Sequence, residues 1–247
     1  KKKNEDFLKE YDQELRKRMG AYYTPTPVVR FMTRSVDFLL KKSFGLKDGL
    51  SDTTKTADGK THRVQVLDPA VGTGTFISGV IREIYKNFVG QQGSWPKYVH
   101  NDLLPRIHGF ELMMAPYTIA HLKMGMSFKE TGFKHFNRRL GIYLTNSLEK
   151  AEQQVELFNS FGLADSIAQE SKEAEVIKNS TPIMVVIGNP PYSGEASNAF
   201  YTENDVYKFE ADGRKLQERN PKWINDDYVK FFRFAESMVE RTKEGIV

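Results

Sequence analysis

The sequence predicts an α/β fold built on a mostly parallel sheet with helices on both faces. Three observations carry this. Four short apolar runs rich in Val, Ile and Leu recur along the chain, each bounded by turn residues. Segments with helical periodicity separate them, and strand–helix alternation of this kind is the pattern of parallel sheets covered on both sides. The chain, 247 residues with 39% hydrophobic and 28% charged side chains, is long enough to bury a substantial core. Because crossovers between parallel strands are right-handed, all strand carboxyl ends emerge on one edge, where a ligand site is expected.

Taken in order, residues 6–18 are charged and helical in pattern, and residues 1–19 are expected to form an N-terminal helical segment that couples to neighbouring parts. Gly20-Ala21-Tyr22-Tyr23-Thr24-Pro25-Thr26-Pro27 reads as a rigid, extended lead into a helix, with Thr26 as its cap and Pro27 in its first turn. In that helix, running to about Ser43, Val28, Phe31, Met32, Val36, Leu39 and Leu40 recur at helical spacing between basic residues. A polar stretch over 45–62 reads as a loop. The predicted strands are Arg63–Leu67, Ile107–Leu112, Leu140–Leu144 and Ile183–Ile187. The predicted helices between them are Thr75–Phe88, Ala115–Phe128 and Glu149–Lys178, the last exposed and broken near Gly162. Residues 89–106 read as a loop or small insertion, and 193–225 as a long loop of the kind that is either functional or disordered. Gly245-Ile246-Val247 reads as the start of a further strand, so residues 20–247 are expected to be a catalytic domain that is incomplete at its C-terminal strands.

Composition removes several chemistries. No cysteine is present, which excludes a disulfide framework, a Cys-ligated zinc or iron–sulfur site and a cysteine nucleophile. No window approaches the roughly 18 apolar residues of a membrane span. A net charge of +4 is compatible with nucleic acid without requiring it.

Chemistry concentrates at the four strand ends. The first runs into Asp68-Pro69-Ala70-Val71-Gly72-Thr73-Gly74-Thr75-Phe76, two glycines that permit a tight turn and close approach of a ligand before a helix. The third glycine of a dinucleotide fingerprint is replaced by Ile77. Asp68 would repel a pyrophosphate and attract an ammonium or sulfonium group, which points to S-adenosyl-L-methionine. The second strand ends at Glu111-Leu112, where one carboxylate could accept both ribose hydroxyls. The third ends at Asn146-Ser147, whose side-chain amide and following N–H suit an adenine ring, or whose Asn merely caps the next helix. The fourth ends at Asn189-Pro190-Pro191-Tyr192. Two prolines remove N–H donors and leave carbonyls projecting as acceptors. With Asn189 as a further acceptor and Tyr192 as a flat face, this suits a planar group bearing NH₂.

Gly20 to Pro25, the Asp68 to Phe76 segment and Asn189-Pro190-Pro191-Tyr192, in this order, resemble the γ class of DNA N6-adenine methyltransferases, and especially the module of single-polypeptide (type ISP) restriction-modification enzymes. The resemblance implies a Rossmann-like methyltransferase domain in a prokaryotic cytoplasmic enzyme, acting on double-stranded DNA with a flipped adenine. It also implies covalently linked nuclease, helicase and target-recognition domains. By the resemblance, Ala21, Tyr23 and Thr24 contact the methionine end of the cofactor. Asp68, Pro69, Ala70 and Gly72 form its pocket, Glu111 holds the ribose, and Leu112, Asn146 and Ser147 lie at its adenine. Asn146 stands where the family usually has Asp. Asn189 and Pro190 bind the target amino group, Pro191 completes the same catalytic motif, Tyr192 stacks on the base, and Phe231 or Phe232 lines the base pocket. The lack of cysteine agrees with direct transfer to an amino group rather than the covalent route to a cytosine carbon. Two alternatives stand beside this reading: a protein-glutamine methyltransferase, since a carboxamide is also a planar NH₂ donor, and a non-catalytic module that binds cofactor or DNA and couples its neighbours.

Overall fold

The computed structural model describes residues 24–149, 164–192, 198, 200–217 and 221–247. Four parallel strands, β1 (Val66–Asp68), β2 (Ile107–Glu111), β3 (Ile142–Leu144) and β4 (Val185–Val186), form a sheet in the order β3-β2-β1-β4. The register pairs Asp68 with Gly109, and Glu111 with Leu144, so β2 and β3 run two residues past β1, and the parallel strands all direct their carboxyl ends to one edge. Beyond β4, Ile246 makes a parallel bridge to Val185, as the expected further strand would.

Side chains alternate across the sheet and sort the helices into two layers. On one face, Val66, Ile107, Ile142 and Val185 pack against α1 (Thr26–Lys42), α2 (Thr75–Tyr85) and α3 (Met114–Glu130) through Val36, Leu40, Ile77, Ile81, Met124 and Phe128. On the other, Leu67, Phe110 and Val186 meet α4 (Ala164–Ser180) and α5 (Asp227–Thr242) through Ala174, Ile177, Phe231, Phe234 and Met238. The predicted doubly covered parallel sheet is the observed one. At the β3 edge, the Leu144 N–H donates to the Glu170 carboxylate of α4 at 2.7 Å, which satisfies a group an edge strand would leave open.

Three local expectations are corrected. Thr26 is the first residue inside α1 and caps nothing; Pro25 takes the cap position, with extended backbone, and its carbonyl accepts from Val28 and Val29. Pro27, lacking an N–H, fits the first turn where donors have no intrahelical partner. Of the two readings of 89–106, residues 95–106 form the small insertion and not a loop: they are helical turns packed into the core. Trp95 is buried, donates to Thr131 Oγ1 at 2.8 Å and touches the rings of Tyr85, Phe88 and Tyr98. Fully buried Arg106 fixes this segment by donating to the carbonyls of Asp102, Val64 and Leu50 and to the Tyr98 hydroxyl. Finally, Glu149 lies in a turn after β3, and α4 begins at Ala164; the expected break near Gly162 lies outside the described residues.

Candidate active site at the carboxyl edge of the sheet

The turn after β1 is shaped by hydrogen bonds that sequence spacing alone does not dictate. Val71 N–H donates to the Phe110 carbonyl at 2.8 Å and Gly74 N–H to the Val71 carbonyl at 2.8 Å, folding the chain back over the end of β2. Gly72 (φ 54°) and Gly74 (φ 76°) occupy the left-handed region that glycine adopts without steric cost. A Cβ on Gly72 would meet nothing closer than 4.0 Å, so its surface faces open space.

Two carboxylates converge there. Asp68 is fully buried; its Oδ1 accepts from Ala70 N–H at 3.1 Å, while its Oδ2 has no hydrogen-bond partner among the described residues. Burial first, and the Glu111 carboxylate in addition, push the Asp68 carboxyl up to about 8 against the bond from Ala70. Glu111, also buried, accepts from Gly72 N–H at 2.9 Å and Met113 N–H at 2.8 Å; burial raises its pKa, with these amide bonds opposing the rise. Among the described residues, neither carboxylate has an ion-pair partner. An orphaned buried oxygen beside a second acid, at an open glycine turn, suits a cationic ligand that brings its own hydrogen-bond donors.

The next strand ends complete the edge. After β3, Asn146 is buried; its Oδ1 accepts from Leu148 N–H at 3.1 Å and its Nδ2 donates to Asn198 Oδ1 at 2.7 Å. Both the capping role and a polar role at this position are therefore compatible with its placement. Ser147 donates its hydroxyl to the Pro69 carbonyl, tying the β3 end to the β1 turn. Leu112 is exposed at the β2 end. After β4, Gly188 lies against Asp68, since a Cβ there would sit 2.6 Å from Asp68 Oδ1. Asn189, Pro190 and Pro191 follow, partly buried, and Tyr192 is 47% exposed. Thr24 is partly buried just before α1; Ala21 and Tyr23 lie outside the described residues. Phe231 points into the core beneath the sheet, whereas Phe232 is 47% exposed.

Several contributors escape a reading of motifs. Lys178, buried on α4, donates to the carbonyls of Asn146 and Glu149, both at 2.7 Å, and holds the turn after β3; burial lowers its pKa to about 8. Asp227 and Lys230, an ion pair at 3.5 Å near the start of α5, are both buried. Their signal was present: positions 227, 230, 231, 234 and 238 share one helix face, so two opposite charges stand on an otherwise apolar stripe.

Against known families, the model of the N-6 DNA methylases matches residues 3–229. The chain belongs to the N-6 DNA methylase family. Comparison of this N-6 DNA methylase chain with curated proteins gives no match. Among solved structures it is similar to a DrdV–DNA complex, with 28% identity and a TM-score of 0.66 over 96% of this chain and 21% of that one. It is similar as well to the ATP-dependent type ISP restriction-modification enzyme LlaBIII bound to DNA, with 25% identity and a TM-score of 0.67 over 90% of this chain and 14% of that one. A nuclease-deletion mutant of the type ISP enzyme LlaGI, with a DNA substrate mimic, shares the fold at 23% identity and a TM-score of 0.63, over 96% of this chain and 21% of that one. The N-6 DNA methylase chain thus spans only a small part of the longer proteins it resembles, 21% and 14% of the first two. The resemblance read from the three motifs is borne out at the level of the family.

Proposed function

We propose that this chain is the catalytic module that transfers a methyl group from S-adenosyl-L-methionine to the exocyclic amino group of an adenine in DNA, within a restriction-modification enzyme. The observation that carries the reading is the contact of Gly188 with the Asp68 carboxylate, which sets the Asn-Pro-Pro-Tyr segment beside an acidic, partner-poor turn. Asp68, Ala70, Gly72 and Glu111 would hold the cofactor, with Pro69 and Ser147 bracing the turn and Leu112 against the adenine ring. When bound, it supplies an electrophilic methyl group on a sulfonium.

The chain's own residues supply the rest. The Asn189 side-chain oxygen and the Pro190 carbonyl accept hydrogen bonds from the target amino group. These bonds favour a more tetrahedral nitrogen, whose lone pair is withdrawn from the ring and free to attack. Pro191 keeps the backbone rigid and free of a competing donor. The exposed face of Tyr192 stacks on a base extruded from the duplex and stabilises the positive charge that develops on the amino nitrogen. Phe232, exposed on α5, is the better of the two phenylalanines to line the base pocket, since Phe231 is held in the core. The family match and the DNA in the similar complexes favour a nucleic acid over a protein glutamine as acceptor.

In the full-length protein, Asn189→Ala and Tyr192→Ala are each expected to abolish tritiated methyl transfer to DNA while cofactor binding by calorimetry persists. Undiminished transfer by either variant contradicts the assignment.

A further inference from the structure

We propose that Asn198, Asp227 and Lys230 are positioning residues that fix the direction of the Asn146 amide through a one-way hydrogen-bond relay. The inference rests on the reading of the strand ends as a cofactor site. Asp227, paired with the Lys230 ammonium at 3.5 Å, is a carboxylate and only accepts. Its Oδ2 takes a hydrogen bond from Asn198 Nδ2 at 2.8 Å, and its Oδ1 takes one from Asn198 N–H at 3.2 Å. Asn198 must therefore turn its amide nitrogen toward Asp227 and its amide oxygen toward Asn146. That oxygen in turn requires a donor, which Asn146 Nδ2 supplies at 2.7 Å. The Asn146 oxygen is left facing the other way, where it accepts from Leu148 N–H at 3.1 Å and is directed as an acceptor for a ligand NH₂. Lys230 Nζ closes the arrangement by donating to the Asn198 backbone carbonyl at 2.6 Å.

The relay sets which residue type position 146 accepts. With Asp227 in place, an aspartate at 146 would set carboxylate oxygen against the Asn198 oxygen. Flipping Asn198 would only move the conflict to Asp227. Burial makes such a mismatch costly, for Asn146, Asp227 and Lys230 are all buried. Reversing both ends removes it. With aspartate at 146 and asparagine at 227, Asn198 flips, each contact again joins a donor to an acceptor, and the new amide oxygen at 227 still faces Lys230.

The test is titration of the full-length protein with S-adenosylmethionine by calorimetry, with thermal unfolding recorded without cofactor, for wild type, Asn146→Asp, Asp227→Asn and the double variant. Each single variant is expected to weaken binding tenfold or more, and the double variant to return within about threefold of wild type, a reversal that a purely additive structural role cannot produce. Wild-type affinity in Asn146→Asp, or a double variant no better than the singles, overturns the relay while leaving the cofactor site standing. A wild type that binds no S-adenosylmethionine overturns the site itself and the relay's role with it. Should a single variant fail to fold, Asn198→Ala breaks the relay without introducing a charge. It is expected to weaken binding tenfold with little change in melting temperature, and unchanged affinity there overturns the proposal.

Discussion

Asp68 illustrates how one buried carboxyl can couple the arrival of a cationic ligand to the loss of a proton. Its folded-state pKa of about 8 lies well above the roughly 3.9 of an unfolded chain, so the folded protein holds the proton more tightly. The sign follows from linkage: this group favours the unliganded fold fully below about pH 4, and that contribution is lost as pH rises toward 8. A bound ammonium or sulfonium favours the ionised form and reverses the shift. Binding of S-adenosylmethionine at pH 7 is therefore expected to release about one proton, read as a dependence of the calorimetric heat on the buffer's ionisation enthalpy. Asp68→Asn should weaken binding and remove that dependence. Heats identical in all buffers for the wild type would show that Asp68 does not face the cation.

At the scale of elements, the site is made by ends of strands that must come close, and close approach is bought with missing side chains. Gly188, joining β4 to the Asn-Pro-Pro-Tyr segment, is the sharpest case, because a Cβ would sit 2.6 Å from Asp68 Oδ1 and 3.5 Å from the Pro69 ring. Gly188→Ala must push β4 and the β1 turn apart or rotate the carboxylate, a cost of about 1–3 kcal/mol for overpacking. The expected outcome is a lower melting temperature together with at least tenfold weaker cofactor binding. Gly72→Ala is the contrast. The added methyl there meets nothing closer than 4.0 Å, and the cost is conformational, about 1–2 kcal/mol for holding a non-glycine at φ 54°. If both alanine variants bind alike, contact with Asp68 is not what Gly188 protects.

Across the whole molecule, the two edges of the sheet do separate work. The carboxyl edge carries acids and acceptors in sparse contact. Before β2, at the opposite edge, Arg106 is fully buried and joins the 95–106 segment to the carbonyls of Leu50 and Val64. Arg106→Met leaves those buried acceptors unpaired at a cost of about 3 kcal/mol. For a chain of this size that corresponds to a melting temperature lower by roughly 6–12 °C. Cofactor affinity at temperatures where the variant is folded should stay within about twofold of wild type, because the arginine's hydrogen-bond partners among the described residues, Asp102, Val64, Leu50 and Tyr98, all lie away from the carboxyl edge. A large loss of affinity in a folded Arg106→Met protein would mean the edges are coupled.

The fold class and the order of polar residues along one edge are legible in the chain alone. Strand–helix alternation, a helix face such as Val36 and Leu40, and glycines or prolines at strand ends are local properties of the chain, legible from period and residue type. Asp68, Glu111 and Asn189 stand at one edge for the same reason: each ends or follows a β-run, and right-handed crossovers bring such ends together. What faces what is a matter of packing. That Trp95 is core, that Phe231 is buried while Phe232 is not, and that Asn198 joins Asn146 to Asp227 depend on contacts between residues far apart in the chain. Period 3.6 tells which side chains share a helix face, but the partner of that face is set by how the layers close over the sheet, where burial makes each unpaired polar atom costly enough to select a single arrangement.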